Sequence, residues 1–226
     1  MNQTESSVRI VATRAAITRR VLEVCAMLGM GVCRSRDIDP PRRDLPRAVR
    51  ALIEALAPGE HCYLSGESGS GKSTLLASIE AHLTSSGAVC ARVELMHGWR
   101  ARMRAPIDVC DGPVERALES LACAGLAQGP LLVRPIASMS EGQRWRLALA
   151  LAMQRVLSLP GTGRRYLLID ECASCLDAST ARCVCTAVSR WARREGVCII
   201  GAGCWKAPAQ WLQVAHEVDL GKERAA

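Results

Sequence analysis

At 226 residues, with 49% apolar and 23% charged side chains, the chain is long enough for one large or two small domains built around a buried core. That composition excludes a disordered or fibrous chain, and no apolar stretch approaches the roughly 18 residues a membrane helix needs. The net charge of +7 is carried almost wholly by arginine; residues 1–50 hold ten Arg against five acids.

In chain order, Met1 to Arg20 is Arg- and Ser/Thr-rich and lacks the apolar block of a secretory signal. Ile17 to Met27 has apolar residues at helical spacing. Arg34 to Pro46, charged and proline-rich, reads as a loop or linker. Residues 1–46 are therefore expected to form a basic helical extension, and residues 47–226 the main domain. A basic region can meet nucleic acid or an acidic partner, yet no aromatic residue lies among these arginines to stack on bases. Arg47 to Leu56 reads as an amphipathic helix, closed by Pro58-Gly59.

His61 to Leu64 is a short apolar run of buried-strand type. It leads into Gly66-Glu67-Ser68-Gly69-Ser70-Gly71-Lys72-Ser73-Thr74, which fits the phosphate-binding pattern G-x-x-x-x-G-K-[ST]. Apolar residues then recur at helical spacing from Thr74 to Leu83. A strand turning through glycines into a helix aims backbone N–H groups and the positive helix end at one point, which suits a polyphosphate. Lys72 can reach the β- and γ-phosphates, and Ser73 offers a hydroxyl to Mg²⁺.

Val89 to Leu95 predicts a second strand, Trp99 to Pro113 irregular chain, Val114 to Ala124 a helix, and Leu131 to Val133 a short strand or extended piece. The stretch of about 97–139 is expected to be a short helical insert. A long helix is predicted from Ser140 to about Leu157, preceded by Met139 and opened by Ser140-Glu141-Gly142-Gln143, a second N-terminus suited to an anion. Tyr166 to Ile169 reads as a buried strand ending in Asp170 and Glu171. Behind a phosphate loop, Asp170 is expected to complete the magnesium shell and Glu171 to take the proton of the attacking water. Ser179 to Glu195 is a predicted helix and Val197 to Ile200 the next strand. Helices alternating with short continuous apolar strands predict an α/β fold, a mostly parallel sheet covered on both faces.

The twelve cysteines are scattered, which suits reduced thiols in a cytoplasmic protein. Cys172-x-x-Cys175 and Cys183-x-Cys185 invite a metal, but the second pair sits at i, i+2 on a helix and faces apart. His82 and His216 have no visible partners in the sequence.

Taken together, the Gly66 to Thr74 loop, the Met139 to Gln143 segment and Asp170-Glu171 resemble the ABC-type ATPases, whose signature reads L-S-G-G-Q. Glu141 replaces one glycine of that signature, and Ser174-Cys175-Leu176-Asp177 looks like the family's D-loop. The wording is similar to soluble ABC-type ATPases sometimes fused to acetyltransferase domains. The resemblance implies ATP and Mg²⁺ as ligands. It also implies a head-to-tail dimer, homodimer or ABC heterodimer, in which Ser140, Gly142 and Gln143 cap the nucleotide held by the other subunit. The activity implied is a soluble ATPase clamp on a macromolecular partner. A membrane transporter subunit and a weakly hydrolysing sensor or nucleic-acid-binding module are the alternatives.

Three departures from the family shape these expectations. No glutamine loop follows Leu95, where His97 stands instead, and only 68 residues separate Lys72 from Ser140. Both argue against a membrane partner. No histidine follows the strand at Val197 to Ile200, where Gly203-Cys204-Trp205 occupies the switch position, so hydrolysis is expected to be slow. No aromatic residue precedes Tyr63 to stack on adenine.

Overall fold

The computed structural model describes residues 9–13, 17–34, 45–96 and 98–221. The chain divides into two units, Met1–Arg43 and Asp44–Ala226. In the first, β1 (Arg9–Thr13) and β2 (Met30–Arg34) pair in parallel, with Arg9 opposite Met30. Between them runs α1 (Arg19–Met27), opened by Thr18, whose hydroxyl accepts from Val21 N at 3.4 Å. The extension is thus a strand–helix–strand element rather than a helix alone. The two strands were not legible because each is a short run without apolar alternation. Residues 35–44, most of the expected linker, lie outside the described residues.

The second unit begins with α2 (Arg47–Ala55), then β3 (His61–Ser65), α3 (Lys72–Ser85) and β4 (Val89–Arg92). Short helical turns follow: α4 (Trp99–Arg102) and α5 (Pro106–Val109), where irregular chain was expected. Next come α6 (Val114–Cys123) and α7 (Gly129–Leu132). The apolar Leu131-Leu132-Val133 is therefore not a strand. Pro130 opens a single helical turn there, a position where its missing N–H costs nothing. A 3₁₀ turn, Ile136–Ser138, leads to α8 (Glu141–Ser158). Then come β5 (Arg165–Ile169), α9 (Ala178–Glu195), β6 (Val197–Gly203), α10 (Ala207–Leu212) and β7 (His216–Asp219).

The sheet runs in the order β4-β5-β6-β3-β7, every pair parallel. Its strands are apolar on both faces because both faces are covered. Cys62 and Leu64 of β3, Tyr166 and Leu168 of β5 and Cys198 and Ile200 of β6 pack with Val49 and Ile53 of α2 and Leu76 and Ile79 of α3. The alternate residues Tyr63, Leu167, Ile169, Val197 and Ile199 pack with Leu121, Trp145, Leu149, Val184 and Leu212 from the helices of the other face. This is the doubly covered parallel sheet that the sequence predicts. In such a sheet, ligands collect at the C-terminal strand edge, where Ser65, Arg92, Ile169 and Gly203 end their strands. Among the described residues, no helix is long and apolar enough to cross a membrane.

Candidate functional site

The loop from β3 to α3 is built on glycines in the left-handed region: Gly66 (φ 155°), Gly69 (φ 78°) and Gly71 (φ 99°). At Gly66 a β-carbon would lie 2.8 Å from Ser70 Oγ, so a side chain would break the curl. Gly71 is the N-cap of α3 and leaves the first N–H groups of that helix without a side-chain cap. The loop thus presents bare backbone donors at the head of a 14-residue helix.

Lys72 is only 5% exposed and folds back across the loop. Its ammonium donates to Gly66 O at 2.9 Å, to Glu67 O at 2.7 Å and to Cys204 Sγ at 3.3 Å. Cys204 directly follows β6. Ser73 Oγ donates to Asp170 Oδ1 at 3.1 Å, and the same oxygen accepts the Glu171 backbone N–H at 3.1 Å. A hydroxyl and a carboxylate oxygen therefore converge at the helix head, a hard-oxygen donor pair that fits Mg²⁺. Arg92 donates to the other oxygen, Asp170 Oδ2, at 2.7 Å.

Glu171 is exposed and has φ 48°; Ala173, two residues on, has φ 59°. Non-glycine residues in the left-handed region cost on the order of 1–3 kcal/mol each, and such turns mark functional sites. The Cys172 backbone N–H donates to Ala202 O at 2.8 Å, which ties this turn to β6.

The signature segment lies elsewhere on the surface of the same unit. Ser140 caps α8 in a full capping box: Ser140 Oγ accepts from Gln143 N at 3.2 Å, and Ser140 N donates to Gln143 Oε1 at 2.9 Å. Gly142 sits hard against the D-loop; a β-carbon there would be 3.0 Å from Leu176 and 3.1 Å from Cys175 O. Asp177 caps α9, accepting from Ser179 N at 3.1 Å and Thr180 N at 3.0 Å, and bonds to the Ser179 and Thr180 side chains hold its carboxyl well below the usual range. Among the described residues, no hydrogen bond or ion pair joins Ser140, Gly142 or Gln143 to the phosphate loop.

Tyr63 was missed in the sequence. Its ring lies against Gly201, where a β-carbon would approach it to 2.9 Å, and its hydroxyl lies against Gly203, where one would come to 2.5 Å; that hydroxyl donates to Trp205 O at 2.7 Å. Burial pushes the phenol far above its ordinary pKa, so it remains a neutral donor. It thereby holds the segment that carries Cys204. The signal was the pair of glycines at alternate positions of β6, facing one aromatic on the neighbouring strand. His82, read as unpartnered, in fact lies 2.9 Å from Glu54 Oε1. Of Cys183 and Cys185, the first is exposed and the second buried, so they do face apart. His97 lies outside the described residues.

A parallel sheet that delivers a glycine-rich loop, a lysine, a hydroxyl and two acids to one edge defines a nucleoside-triphosphate-binding ATPase. The family model described as ABC transporter matches residues 50–174, from α2 through the Asp170-Glu171 turn. The chain belongs to this family, and its activity is the family's ATP hydrolysis. A hemin import ATP-binding protein of Myxococcus xanthus is 30% identical over 179 residues, spanning 66% of this chain and 67% of that protein. One from Gloeobacter violaceus is 29% identical over 156 residues, spanning 55% and 56%. The fold is similar to a dimeric ATP-binding cassette solved in a post-hydrolysis state with ADP and Pi (TM-score 0.53, 19% identity, 71% of this chain and 84% of that one). It is also similar to a dimeric bacterial ABC transporter cassette (TM-score 0.53, 20% identity, 73% and 83%).

Proposed function

We propose that this chain is the ATP-hydrolysing subunit of a membrane transport system and works as a head-to-tail dimer. The observation that carries the hydrolytic part is the Ser73–Asp170 contact of 3.1 Å beneath the phosphate loop, with Glu171 next in the chain. Residues 47–226 form the ATPase domain, and residues 1–46 are an extension to it. Gly66 to Thr74 bind the phosphates through backbone N–H groups. Lys72, released from Gly66 O, Glu67 O and Cys204, turns to the β- and γ-oxygens. Ser73 and Asp170 would hold Mg²⁺, which would supply positive charge against that of the phosphates. Glu171, held on its left-handed turn, orients water at the γ-phosphorus and takes its proton. Ser140, Gly142 and Gln143 complete the partner subunit's site. With Cys204 where the family carries a histidine, turnover is slow.

The membrane assignment reverses the order of the sequence expectations. It is supported by the matched family and by relatives whose names say hemin import. The soluble clamp remains a second reading on one observation. Among the described residues, short turns (α4, α5, α7 and the 3₁₀ turn Ile136–Ser138) and one longer helix, α6, stand between β4 and α8, which leaves a small surface for gripping a membrane protein.

Two measurements test this. The mass of a Glu171→Gln variant is taken with and without ATP and Mg²⁺; a dimer forming only with both, and abolished by Ser140→Arg, is expected. Native membranes are then fractionated. A chain that sediments with membranes and elutes in fixed ratio with one polytopic protein supports transport, and one that stays wholly in the supernatant supports the clamp.

A further inference from the structure

Asp170 is held on both sides, and the second holder is unusual for a metal-binding acid. Arg92 closes β4 at the C-terminal edge of the sheet, in register with Leu168 on the neighbouring strand, which Asp170 directly follows. Its Nη2 donates to Asp170 Oδ2 at 2.7 Å, and its Nη1 lies 3.6 Å from Glu80 Oε2. Glu80 sits on α3 about two turns beyond Ser73. The side chains of Arg92 and Asp170 are 22% and 21% exposed, enough burial for a charged hydrogen bond to outweigh solvent screening.

The arrangement divides the two carboxylate oxygens of Asp170. Oδ1 takes Ser73 Oγ and the Glu171 N–H, and so faces the phosphate loop. Oδ2 is occupied by a guanidinium. A plain structural tether would not need to fall on the one carboxylate that Ser73 shares. Without Arg92, Glu80 and Asp170 would stand near one another uncompensated, a pair of acids able to gather a divalent cation with no nucleotide present.

We infer that Arg92 is a positioning residue and resident counter-charge for Asp170. It fixes the rotamer that turns Oδ1 toward the nucleotide, and it holds down cation binding until the nucleotide brings the metal in. Glu80 moderates it by sharing the guanidinium. This rests on the reading of Ser73 and Asp170 as the magnesium ligands.

The test uses the full chain and Mn²⁺ as probe, with free Mn²⁺ read by electron paramagnetic resonance, with and without a non-hydrolysable ATP analogue. Wild type is expected to bind Mn²⁺ weakly alone and far more tightly with the analogue. Arg92→Met should bind Mn²⁺ without nucleotide on the order of tenfold more tightly than wild type, and adding Asp170→Asn should erase that gain. Glu80→Gln should act in the opposite sense, weakening Mn²⁺ binding to the analogue complex several-fold, because Arg92 is then left to Asp170 alone. Arg92→Lys keeps the charge and should remain near wild type in the nucleotide-free arm. If Arg92→Met does not fold, Glu80→Gln decides. Unchanged Mn²⁺ affinity in both, or shifts in the same direction, overturns the inference while the site reading stands. An analogue complex of the wild type that takes up no Mn²⁺ would instead overturn the site reading, and the inference with it.

Discussion

The phosphate-loop end and the signature end of this domain are finished to different degrees. At the first, the ends of four strands and the head of α3 converge, and side chains from distant parts of the chain meet: Ser73 with Asp170, Arg92 with Asp170, Lys72 with Cys204. At the second, among the described residues, the side chains of Ser140 and Gln143 bond each to the other's backbone N–H, within one turn of helix, and Ser140 is exposed. On the proposed dimer, one half of the chemistry is assembled by the fold and the other would be completed by a partner subunit. A hydroxyl in a capping box still has its own proton to donate, so Ser140 can engage a second acceptor without losing its helix.

That contrast is broken most severely at the assembled end. Lys72→Ala removes the cation that would meet the phosphates, and ATP turnover is expected to fall at least ~100-fold, with nucleotide affinity reduced as well. Steady-state hydrolysis and equilibrium binding of a fluorescent analogue measure the two effects. Melting temperature should change little, because the ammonium is served here by loop carbonyls rather than by the core.

At the open end, Ser140→Arg should leave nucleotide binding to the monomer within about twofold of wild type while lowering turnover by roughly tenfold or more. The dependence of activity on protein concentration checks this: the steep rise expected of wild type should flatten in the variant. Equal loss of binding and turnover would mean that the signature acts within its own chain.

How far each region could be read from sequence follows the same division. The phosphate loop, Asp170 and Glu171 are legible because local chemistry dictates them: glycines for the curl, a strand end for the acids. The signature is legible for the same reason, as a capped helix start. Arg92 and Tyr63 are not, because their roles depend on strand order. Only the placement of β4 beside β5 brings Arg92 to Asp170, and only the placement of β6 beside β3 lays Tyr63 against Gly201 and Gly203. Leu131-Leu132-Val133 fails in the opposite way: an apolar triplet fits strand and helix equally until Pro130 and packing decide. The last strand, β7, has a mixed pattern, His216-Glu217-Val218-Asp219, because as an edge strand it has only Val218 buried.

Tyr63→Phe tests the tie between the core and the segment after β6. It removes the hydrogen bond to Trp205 O and keeps the ring, so a stability loss of about 1 kcal/mol is expected by denaturant titration. If Tyr63 positions Cys204 beside Lys72, turnover should fall a few-fold further than Lys72-independent nucleotide binding does. A variant with unchanged turnover would assign Tyr63 to stability alone.

The smallest effect is the most direct report on Lys72 itself. Among the described residues, Cys183 and Cys204 are the exposed cysteines, and Cys204 lies against the Lys72 ammonium. The buried Cys62 and half-buried Cys90 are unreactive by comparison, since desolvation pushes them up to about 12 and about 11. With Cys33 and Cys183 replaced by serine, labelling by an anionic disulfide reagent reports on Cys204. In the free protein the neighbouring ammonium draws the anionic reagent to the thiol. Nucleotide takes that ammonium away and puts a polyphosphate in reach of the thiol, so the attraction for an anionic reagent is lost. Labelling is therefore expected to slow several-fold with ATP or a non-hydrolysable analogue, and to be slow without nucleotide in Lys72→Ala. A rate indifferent to nucleotide would mean that Lys72 keeps its folded-back position when the site fills, and that the phosphates are held by the loop backbone alone.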